Sequence, residues 1–213
     1  RLRAYGAGGT RFIADFSVPF LYPLACTPWM YISGTVNDVA LACEDVARYV
    51  LTLEKPLMSS PGQFVMVWLP RVGEIPISVA MERGREVLLV VARKGRVTSH
   101  MLSSIGRGSR LFIRGPLGRG FNTSGVKRAL VVGGGVGTAP LLYLCKVLAQ
   151  GGVEVVAALG FKSARCSVLV DDIAKYASEV RIATEDGSCG MKGTAVDLAS
   201  ELLASRRFDK VYA

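Results

Sequence analysis

A single histidine, His100, occurs in the 213 residues. Proton relays through paired histidines and histidine-rich metal sites are therefore excluded. The cysteines Cys26, Cys43, Cys145, Cys166 and Cys189 are odd in number and widely spaced, and no CxxC pair occurs. No group of them has the spacing of a zinc or iron–sulfur ligand set. They read as mostly buried thiols rather than a disulfide framework, which fits a reducing compartment, the cytoplasm. Acidic residues are also scarce, 17 against 26 Lys and Arg, for a formal net charge of +9. An anionic cofactor, an acidic partner or a nucleic acid would suit that sign. The basic residues are scattered, with local concentrations at Arg93, Lys94, Arg96 and at Arg206, Arg207, Lys210. No basic–aromatic stripe tracks a nucleic-acid backbone, so no nucleic-acid partner is expected. Long apolar runs are missing too. Phe16 to Asn37 carries no charge, but Pro19, Pro23 and Pro28 interrupt it. It reads as a segment packed on the protein or on a partner, neither a membrane span nor a signal peptide.

Glycine is abundant, at 24 residues, and half the chain is hydrophobic. Tight turns and close backbone approach to ligands are favoured by that balance. Residues 1–37 read as an irregular segment. Residues 38–125 carry short strand-like runs at Asp45–Leu53, Phe64–Leu69, Ile77–Met81, Val87–Val91 and Arg110–Ile113, with a short helix over Thr98–Ile105. This spacing predicts a small antiparallel barrel. From residue 126 to 213 the pattern becomes strand and helix in alternation. Strands are expected at Ala129–Val132, Val153–Leu159, Val180–Ala183 and Phe208–Ala213, and helices at Thr138–Gln150, Ser167–Lys175 and Thr194–Ala204. That is a parallel sheet covered by helices. The last strand leads into a loop that is not present, so truncation or a longer natural chain is expected.

Gly133, Gly134, Gly135 and Gly137 lie between a predicted strand and helix. Such a turn lets backbone amides reach phosphate oxygens at the positive end of a helix. Thr138 is placed to cap that helix or to bond a phosphate, and Pro140 suits its first turn. The spacing is not the full G-x-G-x-x-G fingerprint, and no Lys-Ser/Thr pair follows to make a Walker loop. Thr184–Glu185–Asp186–Gly187 ends a later strand, where a ligand in the sheet crevice would lie, or forms a plain acidic turn. In the first domain, Pro76–Ile77–Ser78, the Gly95–Thr98 loop and the turn Gly115–Phe121 are ordinary turns singly. Together they outline a cleft beside the nucleotide-binding sheet.

Five stretches carry a resemblance: PGQFVMVWLP (61–70), PIS (76–78), GPLGRGF (115–121), VVGGGVGTAPLLYL (131–144) and TEDGSCGMKG (184–193). In this order, over roughly residues 40–213, the chain resembles the electron-transfer subunits of class B dihydroorotate dehydrogenases, within the wider ferredoxin reductase family. The resemblance implies a β + α/β fold, an antiparallel flavin-binding barrel followed by a parallel-sheet nucleotide-binding domain. It implies FAD at Ile75, Pro76, Ile77 and Ser78, beside Val90, Val91 and Ala92, and at Val97 and Thr98. It implies NAD at Gly133, Gly134, Gly135, Gly137 and Thr138. The family's arginine of the Arg-Pro-x-Ser motif is here Ile75, and Val97 stands where a glycine is usual. Arg71, Lys94 or Arg96 are candidates to replace the missing charge.

The resemblance also implies a [2Fe-2S] cluster in the complete protein, with no ligands in this chain, and an FMN-containing catalytic partner in a heterotetramer. The implied activity passes electrons from dihydroorotate, through the cluster and FAD, to NAD+ in pyrimidine biosynthesis. No acid, base or nucleophile is named, because the cofactors do the chemistry. Two other readings stay open. One is the flavin subunit of another NAD(P)H-dependent reductase, such as a sulfhydrogenase or an NADPH-ferredoxin reductase. The other is a non-catalytic assembly subunit.

Overall fold

A computed structural model describes residues 30–213. Its first part is a closed barrel of antiparallel strands in the order β1-β2-β5-β4-β3-β6. The strands are β1 (Ile32–Cys43), β2 (Val46–Leu53), β3 (Phe64–Leu69), β4 (Gly73–Arg83), β5 (Glu86–Ala92) and β6 (Arg110–Leu117). β2 and β3 alternate buried and half-buried residues along their length, as a one-sided sheet requires. Tyr49, Leu51, Leu53, Val65, Val67, Leu111 and Ile113 fill the interior. Helix α1 (Arg96–Ser104) packs its buried Met101 against this core.

The irregular segment expected over residues 1–37 ends earlier than that, because β1 starts at Ile32. The physical reason lies in the strand itself. It contains Gly34, Asn37 and Asp38, which suit strands poorly, and its pairing with β2 shifts register between Val36 and Asp38. A shift of that kind destroys the period-2 pattern by which a strand is read. Residues 16–29 of the uncharged run lie outside the described residues. Among the described residues no helix is long and apolar enough to cross a membrane.

The second part is a parallel sheet in the order β10-β9-β8-β7-β11. It comprises β7 (Arg128–Gly134), β8 (Glu154–Phe161), β9 (Glu179–Thr184), β10 (Met191–Lys192) and β11 (Lys210–Tyr212), with helices α2 (Thr138–Gln150), α3 (Val170–Ala174) and α4 (Ala195–Ser205). Both faces of β7 and β8 are covered. Ala129, Val131, Val155, Ala157 and Leu159 face α2, and Leu130, Val156 and Ala158 face α4. Burial on both sides explains why these strands read as continuous apolar runs. Two features went unexpected in the sequence. β10 is only two residues long, and α3 is one short turn rather than Ser167–Lys175.

The two parts share a core. Val46, Ala80, Met81 and Val90 of the barrel pack with Leu142 and Cys145 of α2 in one hydrophobic cluster. Burial pushes the Cys145 thiol up to about 12, so it is an inert packing group. Polar ties reinforce the seam: Arg48 pairs with Asp172 at 2.8 Å, and Tyr143 Oη donates to the Ser59 carbonyl at 3.0 Å. The buried Glu82 carboxylate in turn accepts from the Met58 and Ser59 amides at 2.8 and 2.7 Å.

One cysteine expectation fails. Cys43, at the end of β1, is bonded to Cys166 in the loop after β8, with Cα atoms 5.3 Å apart. These residues are 123 positions apart, and pairing over such a distance cannot be read from spacing. The bond ties the barrel to the nucleotide domain. Peptide mapping of the non-reduced protein is expected to recover Cys43 and Cys166 in one cross-linked species. Cys43→Ser is expected to lower unfolding stability by about 2–4 kcal/mol in oxidising buffer and to change nothing under strong reduction.

Candidate functional site: two cavities around one glycine turn

β7 ends in Gly134 and passes into a single 3-10 turn, Gly135–Gly137, that opens α2. Gly135 has φ +51, a conformation that side chains rarely adopt. Thr138 Oγ1 donates to the Gly135 carbonyl at 2.8 Å and lies 3.4 Å from that of Val168. Thr138 is fully buried, so its hydroxyl fastens the turn rather than facing a ligand.

On one side of this turn lies a cavity of about 550 Å³. Its lining includes Gly133, Gly134, Gly135 and Gly137, Gly160–Lys162 at the end of β8, Glu185 beyond β9, and Thr194–Val196 at the start of α4. It therefore sits at the carboxyl ends of the parallel strands, where open α/β sheets take their ligands. A Cβ at Gly135 or Gly137 would meet nothing within 4 Å, so these positions face open space. At Gly160 a Cβ would lie 2.5 Å from the Ala195 amide nitrogen, so that glycine lets α4 approach β8. Glycine thus has two functions around this cavity, ligand access and helix packing.

The loops that flank the cavity are pre-arranged. Asp186 accepts from the Ser188 hydroxyl at 2.6 Å and amide at 2.9 Å, which holds its carboxyl below the usual range. Ser188 Oγ in turn accepts from the Ala164 amide at 2.8 Å and ties together the loops after β8 and β9. Asp197 is lowered by the Thr194 amide and hydroxyl, which it caps at 2.8 Å. Glu185 is the carboxylate that reaches the cavity wall.

On the other side of the turn, at the seam with the barrel, lies a second cavity of about 330 Å³. Ile75, Pro76, Ile77 and Ser78 of β4, Val90 and Ala92 of β5, Lys94 and Thr98 line it from the barrel. Val136 and Ala139 close it from the turn and α2. Thr98 Oγ1 accepts from the Lys94 and Gly95 amides at 2.8 and 2.9 Å, which shapes the loop that enters α1. Val91 and Val97 are placed elsewhere, buried in the barrel core. For Val91 the cause is strand alternation, which turns it away from the face shared by Val90 and Ala92. Sequence reasoning did not single out Gly160, Lys162, Thr194, Val136 or Ala139. Val136 and Ala139 lie inside or beside the glycine motif and were legible there, whereas the others come together only in three dimensions.

These residues fit the cofactors the sequence implied. The second cavity offers apolar walls for a flat ring, with a hydroxyl at Ser78 and a cation at Lys94. The first offers glycine backbone and a carboxylate, suited to a diphosphate and a ribose. A metal centre does not fit: among the described residues no group of three or more His, Cys, Asp or Glu side chains could hold an ion.

Comparison with known proteins agrees with this geometry. Residues 33–121 match the oxidoreductase FAD-binding domain family. The chain is 38% identical over 186 residues to a probable dihydroorotate dehydrogenase B (NAD(+)) electron transfer subunit of Thermococcus kodakarensis, covering 86% of this chain and 74% of the relative. It is 36% identical to the corresponding subunit of Shouchella clausii, covering 79% and 69%. Some relatives are longer still: the chain spans 64% of the Methanopyrus kandleri protein. Among solved structures, an NADH-dependent reduced ferredoxin-NADP oxidoreductase aligns with a TM-score of 0.75 at 28% identity, over 84% of this chain and 66% of that one. An Amycolatopsis cytochrome P450 reductase aligns at 0.71 and 26%, over 83% and 59%.

Gly137→Val is expected to fill the larger cavity without disturbing the fold, since nothing lies within 4 Å of the new Cβ. Calorimetric titration with NADH should show binding weakened at least about tenfold, with a melting temperature close to that of the parent. Gly160→Ala, by contrast, is expected to cost about 1–3 kcal/mol of stability by forcing α4 from the sheet.

Proposed function

The chain belongs to the family of dihydroorotate dehydrogenase B electron transfer subunits, and on that premise we propose that it carries electrons from a dihydroorotate-oxidising partner through FAD to NAD+. One observation supports this most directly. The turn Gly133–Thr138 borders both cavities, its glycines facing the larger and Val136 the smaller. Cofactors held in the two cavities would meet at the edge of this turn, where transfer between them needs contact of about 3–3.5 Å.

A bound flavin supplies the ability to exchange a hydride with a nicotinamide and electrons with a one-electron partner. The protein's own residues bind, orient and exclude water. Val90, Ala92, Val136 and Ala139 form apolar walls that keep bulk water from the ring. Ser78 presents a hydroxyl in the same cavity, and Thr98 shapes the loop beside it. The glycine turn offers backbone amides to the nucleotide phosphates, and Glu185 a carboxylate to a ribose. No protein side chain serves as acid, base or nucleophile. Tyr143, close to the seam, is raised by burial and by the Glu82 charge, and its hydroxyl is committed to Ser59.

On this reading the partner is an FMN-containing catalytic subunit, assembled with this chain into a heterotetramer, and the product is orotate for UMP synthesis. The names of the relatives support the partner and the reaction. The [2Fe-2S] cluster that the resemblance implies has no ligand set among the described residues, so no step is derived through it. A second reading is favoured by the structural match to the ferredoxin-NADP oxidoreductase: a flavin subunit of another NAD(P)H-dependent reductase.

The test is an anaerobic visible spectrum of the full-length protein. Flavin bands that bleach on adding NADH, and on adding dihydroorotate only when the catalytic partner is present, are expected. Bleaching by NADH but never by dihydroorotate with that partner would move the protein to the second reading. A colourless full-length protein would refute both.

A further inference from the structure

The smaller cavity has one charged lining residue, Lys94. Its neighbours among the cations are engaged. Arg93 pairs with Asp45 at 2.9 Å, Arg96 donates to the Val72 carbonyl, and Arg114 pairs with Glu74 at 3.3 Å. Arg71 does not line the cavity. The Lys94 ammonium has no hydrogen-bond or ion-pair partner among the described residues, although its backbone amide is held by Thr98. An unneutralised cation beside an apolar slot marks the place where a ligand's negative charge belongs. The residue also directly precedes Gly95, the N-cap of α1, whose first-turn amides have no carbonyl within the helix to donate to.

On the same barrel side of the cavity stands Ile75, an apolar residue that offers no charge. A flavin ring needs none, but the diphosphate of FAD does. Resting on the flavin reading of this cavity, we propose that Lys94 is the cation that anchors the FAD diphosphate in this chain. The anchor is thereby moved from β4 to the loop between β5 and α1. A lysine holds phosphate as a point charge rather than through a two-pronged fork. FAD affinity should therefore be sensitive to ionic strength, and its sensitivity should be carried by this one side chain.

The experiment is a comparison of flavin binding by the full-length protein and its Lys94→Gln variant, by equilibrium dialysis and by fluorescence of released FAD. Lys94 is exposed, so the substitution leaves packing intact. FAD binding is expected to weaken about 10- to 100-fold, and its salt dependence to flatten. Riboflavin, which has the same ring and no phosphate, is expected to bind both proteins equally. Ile75→Arg added to Lys94→Gln is expected to recover much of the FAD affinity by restoring a charge to the cavity lining. Equal FAD affinity in parent and variant would overturn the proposal. So would equal loss of riboflavin and FAD, because the side chain would then act by shaping the cavity. Failure of the parent protein to bind any flavin is visible before a variant is made, and would instead remove the flavin reading itself.

Discussion

Both cavities of this chain depend on the backbone between Gly133 and Thr138. A side chain at Gly135 would oppose its φ of +51, and bulk at Gly137 would enter the larger cavity. The Thr138 hydroxyl, buried and bonded to the Gly135 carbonyl, closes the turn from within. Because the turn is thin, its two sides serve different purposes. Glycine backbone faces the strand ends, and Val136 with Ala139 faces the barrel. A bulkier connection would hold cofactors in the two cavities out of the direct contact that hydride transfer needs.

A meeting point at the edge of this turn is useful only if the domains on either side keep their relative position. The seam supplies that in three ways. Apolar residues of β2, β4 and β5 share a core with α2. The Arg48–Asp172 pair and the Tyr143–Ser59 hydrogen bond fix its edge. The Cys43–Cys166 bond joins the first barrel hairpin to the loop after β8, four residues beyond Lys162 in the larger cavity's wall. The apolar part sets most of the strength, since exposed or half-exposed ion pairs contribute about 0–1 kcal/mol each. The polar ties fix register, which apolar packing alone leaves loose.

Much of this was legible in the sequence, and what was not has identifiable causes. β3 and α2 fall where their patterns place them, at Phe64–Leu69 and Thr138–Gln150. A continuous apolar run between Gln63 and Pro70 in one, and a glycine stop at each end of the other, made them readable. β1 was not, because its bulge near Val36 and its Asn37–Asp38 pair erase the alternation. The disulfide escaped because spacing says nothing about partners so far apart. Within the site, the motif residues of β4 and the glycine turn were visible as motifs. Their companion Gly160 belongs to another strand, and only the parallel register that sets it beside Gly134 brings it in. Val91 and Val97 show the converse limit. A motif names consecutive residues, whereas a strand or helix sends neighbouring side chains to opposite sides.

The most direct measurement is an experimental structure of the full-length protein with FAD and NAD+ both bound. The flavin ring should lie between Val90–Ala92 and Val136–Ala139, and the nicotinamide should reach it past the glycine turn. The reacting carbon and nitrogen should then stand about 3–3.5 Å apart. A flavin held elsewhere on the barrel, or a nicotinamide separated from it by the intact turn, would contradict the account.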